Sequence, residues 1–442
     1  MKKILVIGAG RSAVTLIKYL LDNSVANNWQ VTVADFSIEL AEQAVGNHEN
    51  GKAIFFNVTD DKQRENEIIN ADIVISMLPA SLHITVAKDC VRLAKNLVTA
   101  SYVSPEIAEL DESAKQAGIL LLNEIGLDPG IDHMSAMQVI DGIKENGGEL
   151  TSFKSFCGGL VHPDYDNNPW NYKFTWNPRN VVLAGQGTAQ YIQNGAYKYI
   201  PYTKLFERTE EMEVLDAGEF EGYANRDSLS YRKSYKLENI PTLFRGTLRR
   251  KGYSEAWNIF VQLGLTDDTY KLESSVEITN REFVNMFLPF DNDLSVEEKL
   301  CKQFNLTAAS VIYQKIDWLG IFSENKVGMK NASPAQILQA ICEEKWTLGA
   351  EDKDMIVMQH QFEYMQNGER KKLNSSLLVF GDDPRYTSMA KTVGLPVAIA
   401  TKLILNGAIK STGVRIPTTK DIYVPVLKEL EENGINFIEE LV

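Results

Sequence analysis

The chain is poor in the residues that metal centres and disulfide scaffolds require. Its 442 residues include only four cysteines and five histidines. Cys90, Cys157, Cys301 and Cys342 lie far apart and form no CxxC pair, and His48, His83, His133, His162 and His360 lack ligand spacing. No zinc site is expected, and scattered cysteines suit a reducing cytoplasm better than a disulfide framework. No stretch approaches the roughly 18–20 uninterrupted apolar residues that span a bilayer. The first apolar run, Ile4 to Ile7, stops at Gly8 and is too short for a signal peptide. Positive charge is also scarce: 45 Lys and Arg against 59 Asp and Glu give a net charge of −14. An acidic surface disfavours nonspecific contact with nucleic acid or anionic lipid. The expectation is a cytoplasmic protein with no metal and no nucleic-acid or membrane partner.

What the chain does contain is ordinary globular usage, 44% hydrophobic and 24% charged. At about 150 residues per domain, its length suggests two or three domains. The first 125 residues alternate strand and helix signals. Ile4–Ile7, Val31–Ala34, Ala53–Phe56, Ile73–Met77, Leu97–Ala100 and Ile119–Leu122 are short apolar runs, separated by helical patterns such as Ala13, Leu16, Ile17, Leu20 and Leu21. Parallel strands need crossover helices, so this alternation predicts an α/β fold with a doubly wound parallel sheet. After Gly126 the texture changes. Residues 150–285 are rich in aromatics and alternating runs, including Phe153–Phe156, Leu243–Leu248 and Trp257–Leu263, and read as a largely antiparallel sheet. Residues 293–347 then read as helices, with Ser295-Val-Glu-Glu and Ser333-Pro-Ala-Gln as capped starts. Strand signals return at Met355–Met365 and Ser375–Phe380. Tyr386 to Leu405 reads as a long helix broken near Gly394-Leu395-Pro396.

Gly8-Ala9-Gly10-Arg11-Ser12-Ala13 follows the first strand and opens the first helix, the context a dinucleotide-binding GxGxxA loop requires. The first glycine permits the turn, the second lets backbone amides approach a pyrophosphate, and Ala13 allows close helix–sheet packing. Asp35 ends the second strand, 25 residues beyond Gly10. A carboxylate there accepts from the adenosine ribose hydroxyls and repels a 2′-phosphate, which favours NAD over NADP. Ser76-Met77-Leu78-Pro79 closes the fourth strand, on the side of the cofactor crevice.

Further segments look unlike scaffold. Thr99-Ala100-Ser101-Tyr102 sits at the carboxyl end of the fifth strand, where open α/β sheets bind ligands. Gly126-Leu127-Asp128-Pro129-Gly130-Ile131-Asp132-His133 follows the sixth and gathers two carboxyls and an imidazole; His133 reads as a helix-start or core residue. Asn225-Arg226-Asp227 and Arg245-Gly246-Thr247-Leu248-Arg249 carry guanidinium groups, which bind carboxylates bidentately.

Ser101-Tyr102-Val103-Ser104-Pro105, Asn123-Glu124-Ile125 with the Gly126–His133 run, Cys157-Gly158-Gly159-Leu160, Tyr172-Lys173-Phe174-Thr175-Trp176 and Arg245–Arg249 together resemble the saccharopine reductases. These are also called saccharopine dehydrogenases, L-glutamate-forming. Lys315-Ile316-Asp317-Trp318-Leu319-Gly320-Ile321-Phe322-Ser323 and Met389-Ala390-Lys391-Thr392-Val393-Gly394 extend the resemblance over nearly the whole chain. It implies a Rossmann domain of residues 1–125 completed by 386–442, a mixed-sheet substrate domain of 126–290 and 350–385, an all-helical insert of 291–349, and a homodimer. The implied reaction is reversible. 2-Aminoadipate 6-semialdehyde and glutamate condense to an imine, which a reduced nicotinamide cofactor converts to saccharopine.

Saccharopine carries three carboxylates and two amines, so its pocket is expected to mix cations with acids. The resemblance implies substrate contacts at Ser101, Tyr102, Asp128, Trp176, Arg226, Thr247, Leu248 and Arg249. Beyond Gly8, Gly10, Arg11, Ser12, Ala13 and Asp35, cofactor contacts are expected at Asn57, Val58, Met77, Leu78, Thr99, Ala100, Gly126, Leu127 and Asp128, with Thr175 toward the nicotinamide. Asp128, Tyr102 and Cys157 are the groups available for proton transfer, orientation of an ammonium being the stronger role for Asp128. One departure stands out: the NADP-using fungal members carry an arginine where this chain has Asp35, so NAD is favoured over NADP. Two rival readings are a carboxynorspermidine-type polyamine reductase, which needs fewer pocket arginines, and a dinucleotide-binding sensor without turnover.

Overall fold

The computed structural model describes residues 1–442 except Gly185 and Ser274. Strands β1 to β6 are Lys2–Ile7, Trp29–Asp35, Gly51–Phe55, Ile73–Ser76, Asn96–Val98 and Leu120–Leu122. Strands β7 to β12 are Glu149–Val161, Ala189–Gln193, Ala196–Ile200, Thr209–Glu213, Glu219–Ala224 and Thr242–Arg249. Strands β13 to β16 are Asp354–Gln366, Glu369–Phe380, Gly413–Arg415 and Ile438–Leu441. The chain divides into two compact units, one of residues 1–150, 364–371 and 377–442, the other of residues 151–363 and 372–376. This division differs from the three-part expectation. Residues 126–150 join the first unit, where the Tyr423 hydroxyl donates to Asp141 at 2.7 Å, and the helical segment 291–349 belongs to the second.

The first unit holds a seven-stranded sheet in the order β15-β6-β5-β4-β1-β2-β3, with every neighbouring pair parallel. Ile4 faces Val31 on one side and Ile73 on the other. The residues of β1 from Ile4 to Ile7 and of β4 from Ile73 to Ile75 are buried, as expected of strands covered on both faces. Between β1 and β4 the strand order reverses, and such switch points open a ligand crevice at the carboxyl ends. All six expected strands are present. The seventh, β15, escaped detection because three residues with glycine and arginine at the ends carry no apolar pattern.

The helix Ser388–Leu405 packs against the helix Val14–Asp22. A Cβ on Gly394 would lie 2.8 Å from the Leu16 nitrogen, so glycine sets how closely these helices approach. The break expected near Pro396 does not occur; the helix runs through it. Proline removes one amide donor and crowds the preceding turn, but fourteen of the helix's eighteen residues are buried, and packing holds it. By length and composition this helix could cross a membrane, yet 72% of that window is buried inside the structure.

The second sheet runs β10-β11-β12-β7-β13-β14-β16, with β8 joined to β12 and β9 to β8. It is mixed: β10, β11 and β12 pair antiparallel, whereas β12 and β7 are parallel. One expected strand is corrected. Trp257–Leu263 lies in the helix Tyr253–Leu263, which ends at Gly264 with φ 82°. Trp257, Ile259, Phe260, Val261 and Leu263 are buried while Glu255 and Gln262 are exposed and Asn258 half-buried, a polar stripe at helical spacing that the aromatic and β-branched content of so short a run masks. The two expected capping boxes, Ser295 with Glu298 and Ser333 with Gln336, both form. Trp170 anchors the aromatic core of this unit, 5.1 Å from Trp346 and 5.9 Å from Phe260 between ring centroids. Its indole N–H donates to the Lys315 carbonyl at 2.6 Å.

Replacing Gly394 by valine forces the helices Val14–Asp22 and Ser388–Leu405 apart. The expected cost is about 1–3 kcal/mol, read as a lower apparent melting temperature; an unchanged melting curve would show that the helix contact is slack.

Candidate active site

Gly8 lies in a conformation (φ 107°) that L side chains rarely adopt, and a Cβ there would come within 2.8 Å of the Met77 carbonyl oxygen. Beside Gly10 there is open space, and no side chain caps the helical turn Arg11–Ala13 that follows. Ala13 is buried, Arg11 exposed and Ser12 half-buried. Asp35 holds this loop: its carboxylate accepts from the Ala9 amide at 2.7 Å and the Ser37 amide at 2.8 Å. Phe36 follows, 71% exposed, with its ring 5.5 Å from that of Phe55.

The remaining cofactor candidates of this unit lie in loops after the carboxyl ends of their strands. Met77 donates to the Ile7 carbonyl at 2.8 Å, and Leu78 is half-buried beside it. Asn57 accepts from Thr59 and Val58 accepts from Arg64, so both shape the turn before the helix Asp61–Ile69. The Thr99 hydroxyl accepts from the Ser101 amide at 3.3 Å. The Ala100 Cβ would lie 2.9 Å from a Cβ on Gly126, which explains glycine there.

The Gly126–His133 turn is built on backbone contact. A Cβ on Gly130 (φ 148°) would stand 2.1 Å from the Gly126 oxygen, so no other residue fits. Gly126 donates to the Pro129 carbonyl at 2.9 Å, Ile131 to the Gly126 carbonyl at 2.8 Å, and the Asp128–Pro129 peptide is cis. Leu127 is buried, while Asp128 is half-buried and accepts from the Tyr102 hydroxyl at 3.5 Å. His133 is buried in the helix Ile131–Glu145, with Nε2 2.9 Å from a Glu124 oxygen. The other Glu124 oxygen accepts from the Val103 amide at 3.0 Å. Glu124 thus ties the Ser101–Val103 segment to the turn, a role that its place in the sequence, two residues after β6, did not disclose.

His83 also went unread as a functional residue. Its Nδ1 lies 2.8 Å from the Ser76 hydroxyl and its Nε2 2.6 Å from the Ser101 hydroxyl. The imidazole is 1% exposed, and burial pushes its pKa down to about 4. The first unit therefore brings Ser101, Tyr102 and Asp128 together and adds His83 and Glu124 behind them.

In the second unit, register places Thr247 of β12 opposite Cys157 of β7 and Tyr223 of β11. Cys157 is buried, and a Cβ on Gly158 would meet the Leu248 oxygen at 2.6 Å. Leu248 is fully buried, and its carbonyl accepts from Arg249 at 2.8 Å. Arg249 is 3% exposed, and its guanidinium lies 4.9, 5.9 and 5.2 Å from the ring centroids of Tyr172, Tyr223 and Tyr253. Among the described residues it makes no ion pair, and its Nε has no partner. Glu221, opposite it in the register, accepts instead from the Gly252 and Ser254 amides. Burial raises the Tyr172 phenol to about 12 and Tyr253 well above its usual range, so neither is a counter-anion at neutral pH. Arg226 is exposed in the loop after β11 with φ 42°, an uncommon conformation for a side-chain-bearing residue. Trp176 is half-buried, and the buried Thr175 hydroxyl has no partner among the described residues.

Comparison with known proteins finds relatives along nearly the whole chain. Residues 4–122 match the family model of the saccharopine dehydrogenase NADP binding domain, and residues 126–435 that of the saccharopine dehydrogenase C-terminal domain. The NADP-type, L-glutamate-forming saccharopine dehydrogenase of Schizosaccharomyces pombe is 34% identical over 453 residues, covering 100% of this chain and 99% of that enzyme. The mitochondrial alpha-aminoadipic semialdehyde synthase of Mus musculus is 35% identical over 99% of this chain, which spans only 47% of that protein's length. The apo structure of the L-Glu forming saccharopine dehydrogenase of Saccharomyces cerevisiae superposes with a TM-score of 0.90 at 34% identity, covering 100% of both chains. The mouse synthase and its rat and bovine counterparts are mitochondrial, which overturns the cytoplasmic location expected from the sequence. Scattered cysteines report a reducing milieu, which does not single out one compartment. Matched along nearly its whole length, the chain belongs to the saccharopine dehydrogenase family of NAD(P)-dependent oxidoreductases.

Proposed function

We propose that this chain catalyses the reversible oxidative cleavage of saccharopine and water to L-glutamate and 2-aminoadipate 6-semialdehyde, a step of lysine metabolism. The observation that carries the reading is Arg249, a buried guanidinium facing three tyrosine rings and, among the described residues, paired with no carboxylate. A buried cation without a counter-anion is costly, and aromatic faces offset only part of that cost. A substrate with three carboxylates supplies the missing anion. Arg226 is exposed and offers a second fork to another carboxylate, with Trp176, Thr247 and the backbone at Leu248 as further contacts. Ser101 and Tyr102 contribute hydroxyls, and Asp128 orients the substrate ammonium.

The residues fit a nicotinamide dinucleotide. Open space beside Gly10, the uncapped start of the first helix and the Asp35 carboxylate at the end of β2 would hold the pyrophosphate and the ribose. Thr175, whose buried hydroxyl lacks a partner among the described residues, is the candidate on the nicotinamide side. When bound, the cofactor takes or returns the hydride. The chain's part is to hold the secondary amine of the substrate and to move protons during imine formation and hydrolysis. Asp128, Tyr102 and Cys157 are the groups proposed for this, Asp128 and Tyr102 being already hydrogen-bonded to each other.

NAD is the favoured cofactor in this proposal. The turn after β2 reads Asp35-Phe36-Ser37, with no cation to meet a 2′-phosphate and a carboxylate held in place by two amides. The protein is further proposed to work as a homodimer.

Two outcomes are expected. Saccharopine oxidation, followed by nicotinamide absorbance with glutamate assayed as product, runs faster with NAD than with NADP, and Asp35→Asn lowers that preference about tenfold through loss of one charge repulsion; nucleotide binding by fluorescence quenching shifts in the same direction. Arg226→Ala raises the KM for saccharopine by about 10–100-fold, the worth of a charge-assisted hydrogen-bonded pair, with dinucleotide affinity unchanged; an unaltered KM removes Arg226 from the substrate site.

A further inference from the structure

Ser76, His83 and Ser101 form a hydrogen-bonded chain that runs inward from the carboxyl end of β5 to that of β4. It joins a half-buried hydroxyl, that of Ser101, to a wholly buried one, that of Ser76, through a wholly buried ring. A neutral imidazole has one donor nitrogen and one acceptor nitrogen, so the two serines cannot be treated alike. The burial that holds the ring's pKa near 4 keeps it neutral at physiological pH.

The buried end decides the tautomer. Among the described residues, His83 Nδ1 is the only hydrogen-bond partner of the Ser76 hydroxyl. A buried donor without an acceptor is rarer and costlier than an acceptor with a spare lone pair. Ser76 therefore donates to Nδ1, the ring proton sits on Nε2, and Nε2 donates to the Ser101 oxygen. With its oxygen already accepting, Ser101 keeps its own O–H free and presents it as a donor. Hydrogen bonds aligned in one direction polarise one another, which strengthens that donor further.

We propose that His83 is a positioning residue that sets Ser101 as a hydrogen-bond donor to a carboxylate oxygen of the substrate. The inference rests on the saccharopine reading above only for the identity of the carboxylate; the direction of the chain is a property of the free protein.

Two measurements test it. Nitrogen-15 NMR of the ligand-free protein with labelled histidine is expected to show His83 protonated at Nε2, and Ser76→Ala to weaken that preference; protonation at Nδ1 in the unaltered protein overturns the proposal. In kinetics, Ser101→Ala and His83→Leu are each expected to lower kcat/KM for saccharopine about tenfold, the worth of a hydrogen bond to a charged group. NADH binding by fluorescence should stay unchanged in both. His83→Gln, whose amide can accept from Ser76 and donate to Ser101, should restore most of the loss. The double variant should be no worse than Ser101→Ala alone. Losses that multiply in the double variant, or no rescue by glutamine, overturn the proposal, since His83 would then act otherwise than through Ser101. Should His83→Leu fail to fold, the tautomer and the glutamine variant still decide. Absence of saccharopine turnover with the Nε2 tautomer in place would refute the substrate assignment alone, whereas an Nδ1 tautomer with full turnover would refute the role of His83 alone.

Discussion

A parallel strand cannot be followed directly by its neighbour; the chain must first return through a crossover, and this constraint organises the first unit. Each return starts again at the same edge, so every strand of the sheet ends at the opposite one. The glycine loop after β1, Asp35 at the end of β2, Ser76 at the end of β4, the Thr99–Tyr102 segment after β5 and the Gly126–Asp128 turn after β6 therefore gather along one edge. Residues up to 120 positions apart in sequence become neighbours there without any of them having to specify it. The glycines then fix how closely backbone approaches backbone. Gly8 lies against Met77 and Gly130 against Gly126, and at both places a Cβ would overlap a carbonyl oxygen.

Charge separates scaffold from site. Arg64 is buried against Asp89 at 2.6 Å, and Lys173 against Asp352 at 2.6 Å. Those pairs close on themselves, and removing one member of a buried pair costs about 3–5 kcal/mol. Arg249 is as deeply buried as either cation yet has rings where they have carboxylates. That the fold supplies counter-anions twice and, among the described residues, none beside Arg249 is what supports the proposal that a ligand's carboxylate meets it. From the sequence only Arg249, by its motif, was expected at a substrate; that Arg64 and Lys173 close on carboxylates appears only in the fold.

What was legible in the residues follows from how local the signal was. Apolar runs bounded by turns located all six strands of the alternating region, and the serines at 295 and 333 located helix starts through contacts spanning three residues. The motif runs marked the segments proposed here as the site. Non-local facts stayed hidden. The Trp257–Leu263 run read as strand because its aromatic and β-branched content outweighed a short helical stripe of Asn258 and Gln262, and the continuity of the helix through Pro396 depends on packing contributed by residues near the other end of the chain. Glu124 and His83 were invisible as partners because their hydrogen bonds, to His133 and to Ser76 and Ser101, exist only once the sheet edge is assembled.

The tail's place in the first sheet has a consequence for synthesis. β6 is flanked by β15, which comes almost three hundred residues later, and the Tyr19 hydroxyl bonds to Glu429, 410 residues away. During translation the nascent sheet therefore waits with β6 as an open edge while some three hundred further residues are made. At ribosomal speeds of about 5–20 residues per second, that interval lasts on the order of tens of seconds. An unpaired strand of three leucines is a template for wrong pairing throughout it. The second unit is encoded almost entirely within that interval, so its folding runs ahead of the completion of the first, and chaperone demand should fall on the waiting half.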